Sequence, residues 1–313
     1  MTFCSFFCGG GGIDMGFNEA GFKCVFACDN DKNAIKAYNF NLSPPAILAD
    51  VRTLQPVSVP AADVYCAGFP CQPFSLAGKK KGFDDSRGGL FFEFLRFVRQ
   101  NKPKIVFLEN VANLLKMQGG RAFNAIAAAL EAEGYFVRFK VLNAAEHGNL
   151  PQNRYRLFVV AALQNVFPDF WIKFDFPAPI PLTVKLGDII DFNGEAEERL
   201  YLSEEQAKQY KNAEKGFVFK EHYGSRVGGK RSICPTITTR FEKGAFNAYV
   251  LKDKKGIRTI ALKEASRLQG FKASYCFPPK IGTGAKQRII GNAVCVPVVR
   301  RIAEKIKEIL QSK

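Results

Sequence analysis

The first 165 residues alternate short apolar runs with amphipathic stretches. TFCSFF (2–7), KCVFACD (23–29), AILA (46–49), DVYCA (63–67), IVFLEN (105–110), FVRFKVLNA (136–144) and PQNRYRLFVVAAL (151–163) have the length and the aromatic and β-branched content of buried strands. Between them, NEAGF (18–22) closes a helix at Gly21, DKNAIKAYNF (31–40) forms a second, and GRAFNAIAAALEAEGY (120–135) is an alanine-rich helix. LFFEFLRFVRQNKP (90–103) places Leu90, Phe94, Phe97 and Val98 on one helical face, with Pro103 beyond its end. Strand and helix in alternation predict an α/β fold with a doubly wound, Rossmann-like sheet.

That alternation stops near residue 170. FPDFWIKFDFPAPIPL (167–182) is rich in proline and aromatics, as at a domain boundary. Beyond it, GSRVGGKRS (224–232) reads as a flexible basic loop and CPTITTRFEKGAFNAYVL (234–251) as strands around a turn. Regular structure then returns: ALKEASRLQGF (261–271) as a helix with Gly270 past its end, RIIGNAV (288–294) as a strand into a turn, and VPVVRRIAEKIKEIL (296–310) as an amphipathic helix. Val299, Ile302, Ile306 and Ile309 form the apolar face of the last, expected to pack on the first domain. The expected organisation is a catalytic domain over 1–170, a smaller, mainly β and irregular domain over 171–256, and a return to the first domain over 257–313.

Composition narrows the function. The chain is globular in character, with 47% hydrophobic and 24% charged residues. No apolar run reaches the ~18 residues of a membrane span, and the N-terminus lacks a signal peptide's basic start and cleavage site, so a cytoplasmic protein is expected. Nine cysteines without a C-x-x-C pair, and two histidines, suggest neither a disulfide framework nor a metal site. The net charge of +16, with pI near 9.5, points to a polyanionic partner, nucleic acid first, against the plainer reading of a solvated basic surface. Residues 206–258 hold 13 Lys and Arg against 4 Asp and Glu, so nine of the sixteen net positive charges lie there.

The candidate chemistry sits at strand ends. A strand running into CGGGGIDMGF (8–17) and then a helix is the nucleotide-cradling unit of open α/β sheets, with Gly9, Gly11 and Gly12 allowing close backbone approach. A plain tight turn would read the same way. Asp29, about twenty residues past the glycines, fits either a ribose-binding acid or the N-cap of the next helix. Asp50 follows another strand end, and no P-loop lysine signature is present, which suits a nucleoside-bearing cofactor better than a triphosphate. In GFPCQPFS (68–75), Pro70 and Pro73 stiffen a turn that presents Cys71, either a nucleophile or a small buried hydrophobe. Glu109 closes an apolar strand, as a solvated acid or as a carboxyl whose pKa an apolar site raises so that it can donate a proton. Arg154 and Arg156 alternate along a strand and so share a face, which calls for an anion, a carboxylate or a base edge, or for a surface ion pair.

The ordered set FFCGGGG, GFPCQPFS, SRGGLFFE, LENV, PQNRYR, RLQGF and IIGNAV resembles the bacterial cytosine-C5 DNA methyltransferases, which use S-adenosyl-L-methionine. It spans some 220 residues in family order and leaves unmatched only the basic middle region, the variable target-recognition domain of that family. The resemblance implies that Cys71 attacks carbon 6 of a flipped-out cytosine, that Glu109 holds or protonates N3 and accepts from the exocyclic amine, that Arg156 contacts O2, and that Arg154 braces Glu109 or a phosphate. It implies a cofactor pocket lined by Phe7, Gly9, Gly11, Gly12, Asp29, Asn30, Asp50, Val51, Pro70, Leu90, Asn292 and Ala293. Double-stranded DNA would meet Gln72, Ser75, Lys79, Lys81 and Arg87 of a mobile lid, Thr236, which matches a threonine that supports the flipped nucleotide, and Arg226, Lys230, Arg231 and Arg240 of the basic region. Asp29 stands where many relatives carry Glu. A monomer is expected; a restriction endonuclease acting on the same site is a candidate partner, and the sequence leaves open an orphan enzyme without one. The competing readings are a tRNA cytosine-5 methyltransferase of the same fold and a non-catalytic DNA-binding protein that kept it. The tRNA branch starts its cysteine motif Pro-Pro-Cys, where this chain has Phe69-Pro70-Cys71.

Overall fold

The computed structural model describes residues 1–70, 89–194, 196–210, 216–221, 224–226, 233–241 and 249–312. In chain order the elements are β1 (Thr2–Phe6), α1 (Gly12–Glu19), β2 (Lys23–Asp29), α2 (Lys32–Asn41), β3 (Ile47–Leu48), β4 (Val64–Ala67), α3 (Gly89–Asn101), β5 (Ile105–Val111), α4 (Arg121–Ala132) and β6 (Tyr135–Asn143). There follow α5 (Ala144–Gly148), β7 (Gln152–Asn153), β8 (Tyr155–Leu163), α6 (Phe170–Lys173), α7 (Glu204–Ala207), β9 (Gly216–Glu221), β10 (Gly224–Arg226), β11 (Cys234–Pro235), β12 (Tyr249–Lys252), β13 (Ile257–Thr259), α8 (Leu262–Leu268), α9 (Thr283–Asn292) and α10 (Val296–Gln311). The chain divides into two compact units, one of residues 1–142, 155–178 and 298–313, the other of residues 143–154 and 179–297.

The first unit is built on a seven-stranded sheet of order β3-β2-β1-β4-β5-β8-β6. Strands β1 to β5 run parallel, and β8 joins β5 antiparallel. Parallel strands must be covered on both faces, and the alternation along β1 shows how. Phe6 points to one face, where its ring meets those of Tyr65, Phe94 and Phe97. Phe3 points to the other and packs on Phe17 of α1, which also touches Phe22 and Phe107. On that second face α10 returns to α1: Gly16 lacks a Cβ where one would lie 2.6 Å from Val299 Cγ1. Val299, Ile302, Ile306 and Ile309 are all buried, as the amphipathic pattern requires.

Sheet order decides where a site can form. Successive strands from β1 go outward in one direction through β2 and β3 and in the other through β4 and β5, so β1 and β4 flank a topological switch point. Register then aligns the strand ends: Phe6 pairs with Cys28 and Ala67, Ala67 with Leu108, and Asp29 with Leu48. Phe7, Asp29, Gly68 and Glu109 therefore all emerge at one edge.

The second unit carries a four-stranded antiparallel sheet of order β10-β9-β12-β13 and a two-stranded parallel ladder, β11-β7. Residues 224–226, expected as loop, form β10, and 288–292, expected as a strand, lie in helix α9. Gly291 explains the second departure. Helix packing brings it so close to the chain at Thr238 that a Cβ would sit 2.3 Å from that carbonyl oxygen, so the glycine serves close approach within a helix rather than a strand-ending turn.

The charged centre of this unit is Arg258 on β13, fully buried. Its Nε donates to Asp253 Oδ2 at 2.7 Å, and its Nη atoms donate to Glu264 at 2.8 and 2.9 Å. Glu264 also accepts from the backbone N–H groups of Ala261 and Asp191. A buried guanidinium with two buried carboxylates is tolerable only while every partner stays in place. Arg258→Ala strands both acids, and urea unfolding should show a loss of about 3–5 kcal/mol.

Candidate active site

The turn after β1 is left-handed at three positions, Phe7 (φ 55°), Gly9 (φ 54°) and Gly11 (φ 87°). The last two differ in what they face. A Cβ on Gly9 would meet nothing within 4 Å, whereas one on Gly11 would lie 2.1 Å from Leu42 Cδ1 and 3.2 Å from Tyr38 Cδ2. Gly9 thus opens a space beside the backbone, and Gly11 lets α2 and the residue after it close on the turn. Asp29 is not the cap of α2. The cap of α2 is Asp31, which accepts from the N–H of Asn33 and of Ala34. Asp29 instead accepts from Gly9 N and from Asp31 N, each at 2.8 Å, and burial raises its pKa. Its carboxylate ties the glycine turn to the end of β2. Asp50, past β3, pairs with Arg52 across the short loop, and that hydrogen-bonded guanidinium holds its carboxyl below the usual range.

Beneath the turn lies a buried polar cluster that sequence reasoning missed. Asp14, in the first turn of α1, has no exposed surface; its Oδ2 accepts from Ser5 Oγ and its Oδ1 from Tyr38 OH, both at 2.8 Å. These bonds join β1, α1 and α2 directly under the glycines. Full burial pushes the Asp14 carboxyl up to about 6, the two hydrogen bonds opposing. The same burial raises the neighbouring thiols of Cys8 and Cys28, which are inert small hydrophobes here.

At the ends of β4 and β5 the second group assembles. Glu109 is buried on the same face as Ser5 and Phe107, and a Cβ on Gly68 would lie 3.7 Å from its Oε2. Arg156 Nε stands 3.3 Å from Glu109 Oε1. The antiparallel register explains the pair: Val111 faces Arg156 and Glu109 faces Phe158, so the two side chains are diagonal neighbours on one face. Burial lowers the Arg156 pKa while Glu109 opposes the shift, and an arginine remains cationic regardless. Asn110, one residue on, donates from Nδ2 to Phe69 O at 2.9 Å. It fixes the turn of GFP (68–70) to the end of β5. The only sequence signal for it was its place beside Glu109 in LENV.

Arg154 stands in the one-residue break between β7 and β8. Its guanidinium, 1% exposed, donates to the carbonyls of Ile237 (2.8 Å), Gly291 (3.0 Å) and Ala293 (2.5 Å). Thr236 donates its hydroxyl to Asn153 O at 2.8 Å, and its carbonyl accepts from Tyr249 OH. Asn30, Pro70, Arg240 and Asn292 are exposed, Val51 is buried, and Leu90 and Ala293 are half-buried. Arg226 closes β10 opposite Phe219. Cys71, Gln72, Ser75, Lys79, Lys81, Arg87, Lys230 and Arg231 lie outside the described residues.

A glycine turn at the switch point, with carboxylates at the neighbouring strand ends, defines the class of doubly wound enzymes that hold a nucleoside-bearing cofactor. The open space at Gly9 leaves room for such a ligand beside the backbone. The family model for C-5 cytosine-specific DNA methylase matches residues 1–308. Among relatives, the Type II methyltransferase M.Bsp6I of Bacillus sp. (strain RFL6) is 38% identical over 98% of both chains, and M.HhaI of Haemophilus parahaemolyticus is 32% identical over 100% of this chain and 96% of its own. Two solved structures share the fold: the Dnmt2 methyltransferase of S. pombe (TM-score 0.75, 19% identity, 100% and 99% covered) and the Entamoeba histolytica methyltransferase EhMeth (0.74, 16%, 99% and 98%). The chain belongs to the C-5 cytosine-specific DNA methylase family. It is a DNA (cytosine-5-)-methyltransferase with S-adenosyl-L-methionine as methyl donor. Among the described residues no helix is long and apolar enough to cross a membrane.

The Asp14 cluster gives a pH signature. A carboxyl raised to about 6 contributes stability in full below its unfolded pKa and loses it as pH rises through about 6. Asp14→Asn keeps an acceptor for Tyr38 and removes the titration. Relative to the wild type, its unfolding free energy in urea should therefore rise by up to about 3 kcal/mol between pH 4 and pH 7.

Proposed function

We propose that this enzyme methylates one specific duplex sequence as the modification half of a restriction–modification pair, acting as a cytoplasmic monomer with Cys71 as its nucleophile. The observation that carries the reading is the alignment of strand ends. The GFP turn leading to Cys71 is bonded through Phe69 O to Asn110, the residue next to Glu109, and Glu109 is in turn paired with Arg156.

The chemistry explains why such a set is needed. Carbon 6 of cytosine is a poor electrophile, so thiolate addition requires charge stabilisation at the opposite edge of the ring. Cys71 adds to carbon 6 as a thiolate. Arg156, a desolvated cation, contacts O2, and Glu109 accepts from the exocyclic amine and supplies the proton that N3 takes up. Addition turns carbon 5 into an enamine-like nucleophile, at which methyl is accepted. S-adenosyl-L-methionine supplies that methyl on a sulfonium, an electrophile that needs no further activation. A base or water then removes the carbon-5 proton, the electron pair re-forms the ring double bond as the thiolate leaves, and N3 returns its proton to Glu109. Burial of the Arg156–Glu109 pair makes each worth more than in water, since low polarity strengthens the fields they direct at the ring.

The target atom is stacked in duplex DNA, so the base is flipped out. Gln72, Ser75, Lys79, Lys81 and Arg87, which follow the nucleophile in sequence, meet the DNA, Thr236 supports the extruded nucleotide's backbone, and Arg226, Lys230, Arg231 and Arg240 of the recognition region 171–256 meet phosphates and base edges. The cofactor is held by Phe7, Gly9, Gly11, Gly12, Asp29, Asn30, Asp50, Val51, Pro70 and Leu90, with Asn292 and Ala293 from 257–313. Relatives named as Type II methyltransferases support the partner endonuclease.

Transfer of tritiated methyl to mixed genomic DNA, followed by bisulfite sequencing, tests activity and site together. One sequence motif should be methylated at a single cytosine, and Cys71→Ser should lower transfer by about three orders of magnitude or more. Undiminished transfer by Cys71→Ser would overturn the assignment.

A further inference from the structure

Among the buried polar side chains of the second unit, three that take no part in the chemistry above belong to one network: Gln152 and Gln269, each with no exposed surface, and Arg154. Burying amide and guanidinium groups is costly unless their hydrogen bonds are met, so their partners show what they are for. Gln152 Oε1 accepts from Ile237 N at 2.9 Å, and Arg154 Nη1 donates to Ile237 O at 2.8 Å. Both polar atoms of one peptide residue are thus clamped, and that residue follows Thr236. From the same amide, Gln152 Nε2 donates to Leu268 O at 2.7 Å and to Gln269 Oε1 at 3.0 Å. Gln269 Nε2 continues to Ile290 O at 2.9 Å and Ala293 O at 3.3 Å, and the other Arg154 nitrogen reaches Gly291 O and Ala293 O. Gly291 itself abuts the backbone of Thr238 and Thr239.

The network therefore has two ends. One holds residues 236–238, and the other holds the last turn of α9 on either side of Asn292. We propose that Gln152, Arg154 and Gln269 are positioning residues that couple DNA binding at Thr236 to cofactor binding at Asn292 and Ala293. The inference rests on the reading of those positions given under the proposed function. It follows from how few alternatives the bonds leave: 236–238 cannot shift without moving the Gln152 amide or the Arg154 fork, and the fork is bonded to the helix end directly, the amide through Gln269. A DNA backbone that fixes Thr236 then fixes the carbonyl frame around Asn292, so ordering cost met by one ligand is not met again by the other. Arg154 acts through this frame rather than on the base.

The test is a binding cycle with S-adenosylhomocysteine, titrated calorimetrically into free enzyme and into enzyme saturated with a duplex carrying the motif found by bisulfite sequencing. In the wild type DNA should tighten S-adenosylhomocysteine by about tenfold or more, within the range of ordinary coupling. Gln269→Met keeps side-chain length and volume but removes the bonds to Ile290, Ala293 and Gln152. It should reduce that ratio to below about threefold while leaving binding to the free enzyme within about threefold of wild type. Destabilisation alone does not move the ratio. If Gln269→Met fails to fold, Arg154→Lys reads the same quantity, because it retains the charge and loses the two-pronged geometry. Wild-type methylation without DNA-dependent tightening, or full tightening retained by the folded variant, overturns the inference. Absence of wild-type methylation overturns the functional reading beneath it instead.

Discussion

The parallel register of β1, β2, β4 and β5 is the constraint on which everything else depends. Because Phe6 pairs with both Cys28 and Ala67, and Ala67 with Leu108, four strands end level. The glycine turn, Asp29, Gly68 and Glu109 are brought together by that fact alone. A slip of one residue in any strand would turn its end group to the other face and break the set. Burial on both faces, by Phe3 with α1 and Phe6 with α3, keeps the register from slipping.

Two polar ties then convert an aligned edge into a defined site. Asn110 holds the turn that precedes Cys71, and Asp29 holds Gly9. Below them the Asp14, Ser5 and Tyr38 cluster fixes the glycine turn from underneath. Each tie is a side chain to backbone bond across a strand end, short in space and far in sequence. The result is a cofactor edge held at low conformational freedom before any ligand arrives, which lessens the ordering cost of binding.

Much of the first unit was legible in the sequence because its strands are continuous apolar runs that end in charged or glycine residues. β2 and β5 emerged with their terminal acids in place, and the face of α10 was readable from four aliphatic positions. What escaped has a common cause. The run Ile289, Ile290 looked like a strand because both are β-branched and buried, but packing against the chain at Thr238 places them in a helix. Alternation treats Arg154 and Arg156 as a pair on one strand, whereas Arg154 falls in the break between β7 and β8 and donates to the carbonyls of Ile237, Gly291 and Ala293. Gln152, Gln269, Asn110 and Asp14 are ordinary polar residues in the sequence. Only long-range burial distinguishes them, and no local pattern encodes it.

The central claim is that this edge delivers the Cys71 thiolate to carbon 6 of a flipped cytosine. A duplex carrying 5-fluorocytosine at the target position cannot lose the carbon-5 substituent as a proton, so the adduct persists. Incubation with S-adenosyl-L-methionine, proteolysis and mass spectrometry should find the methylated fluorocytidine on the peptide containing Cys71. A nucleotide attached to any other residue, or a duplex methylated with no covalent complex formed, would contradict the account.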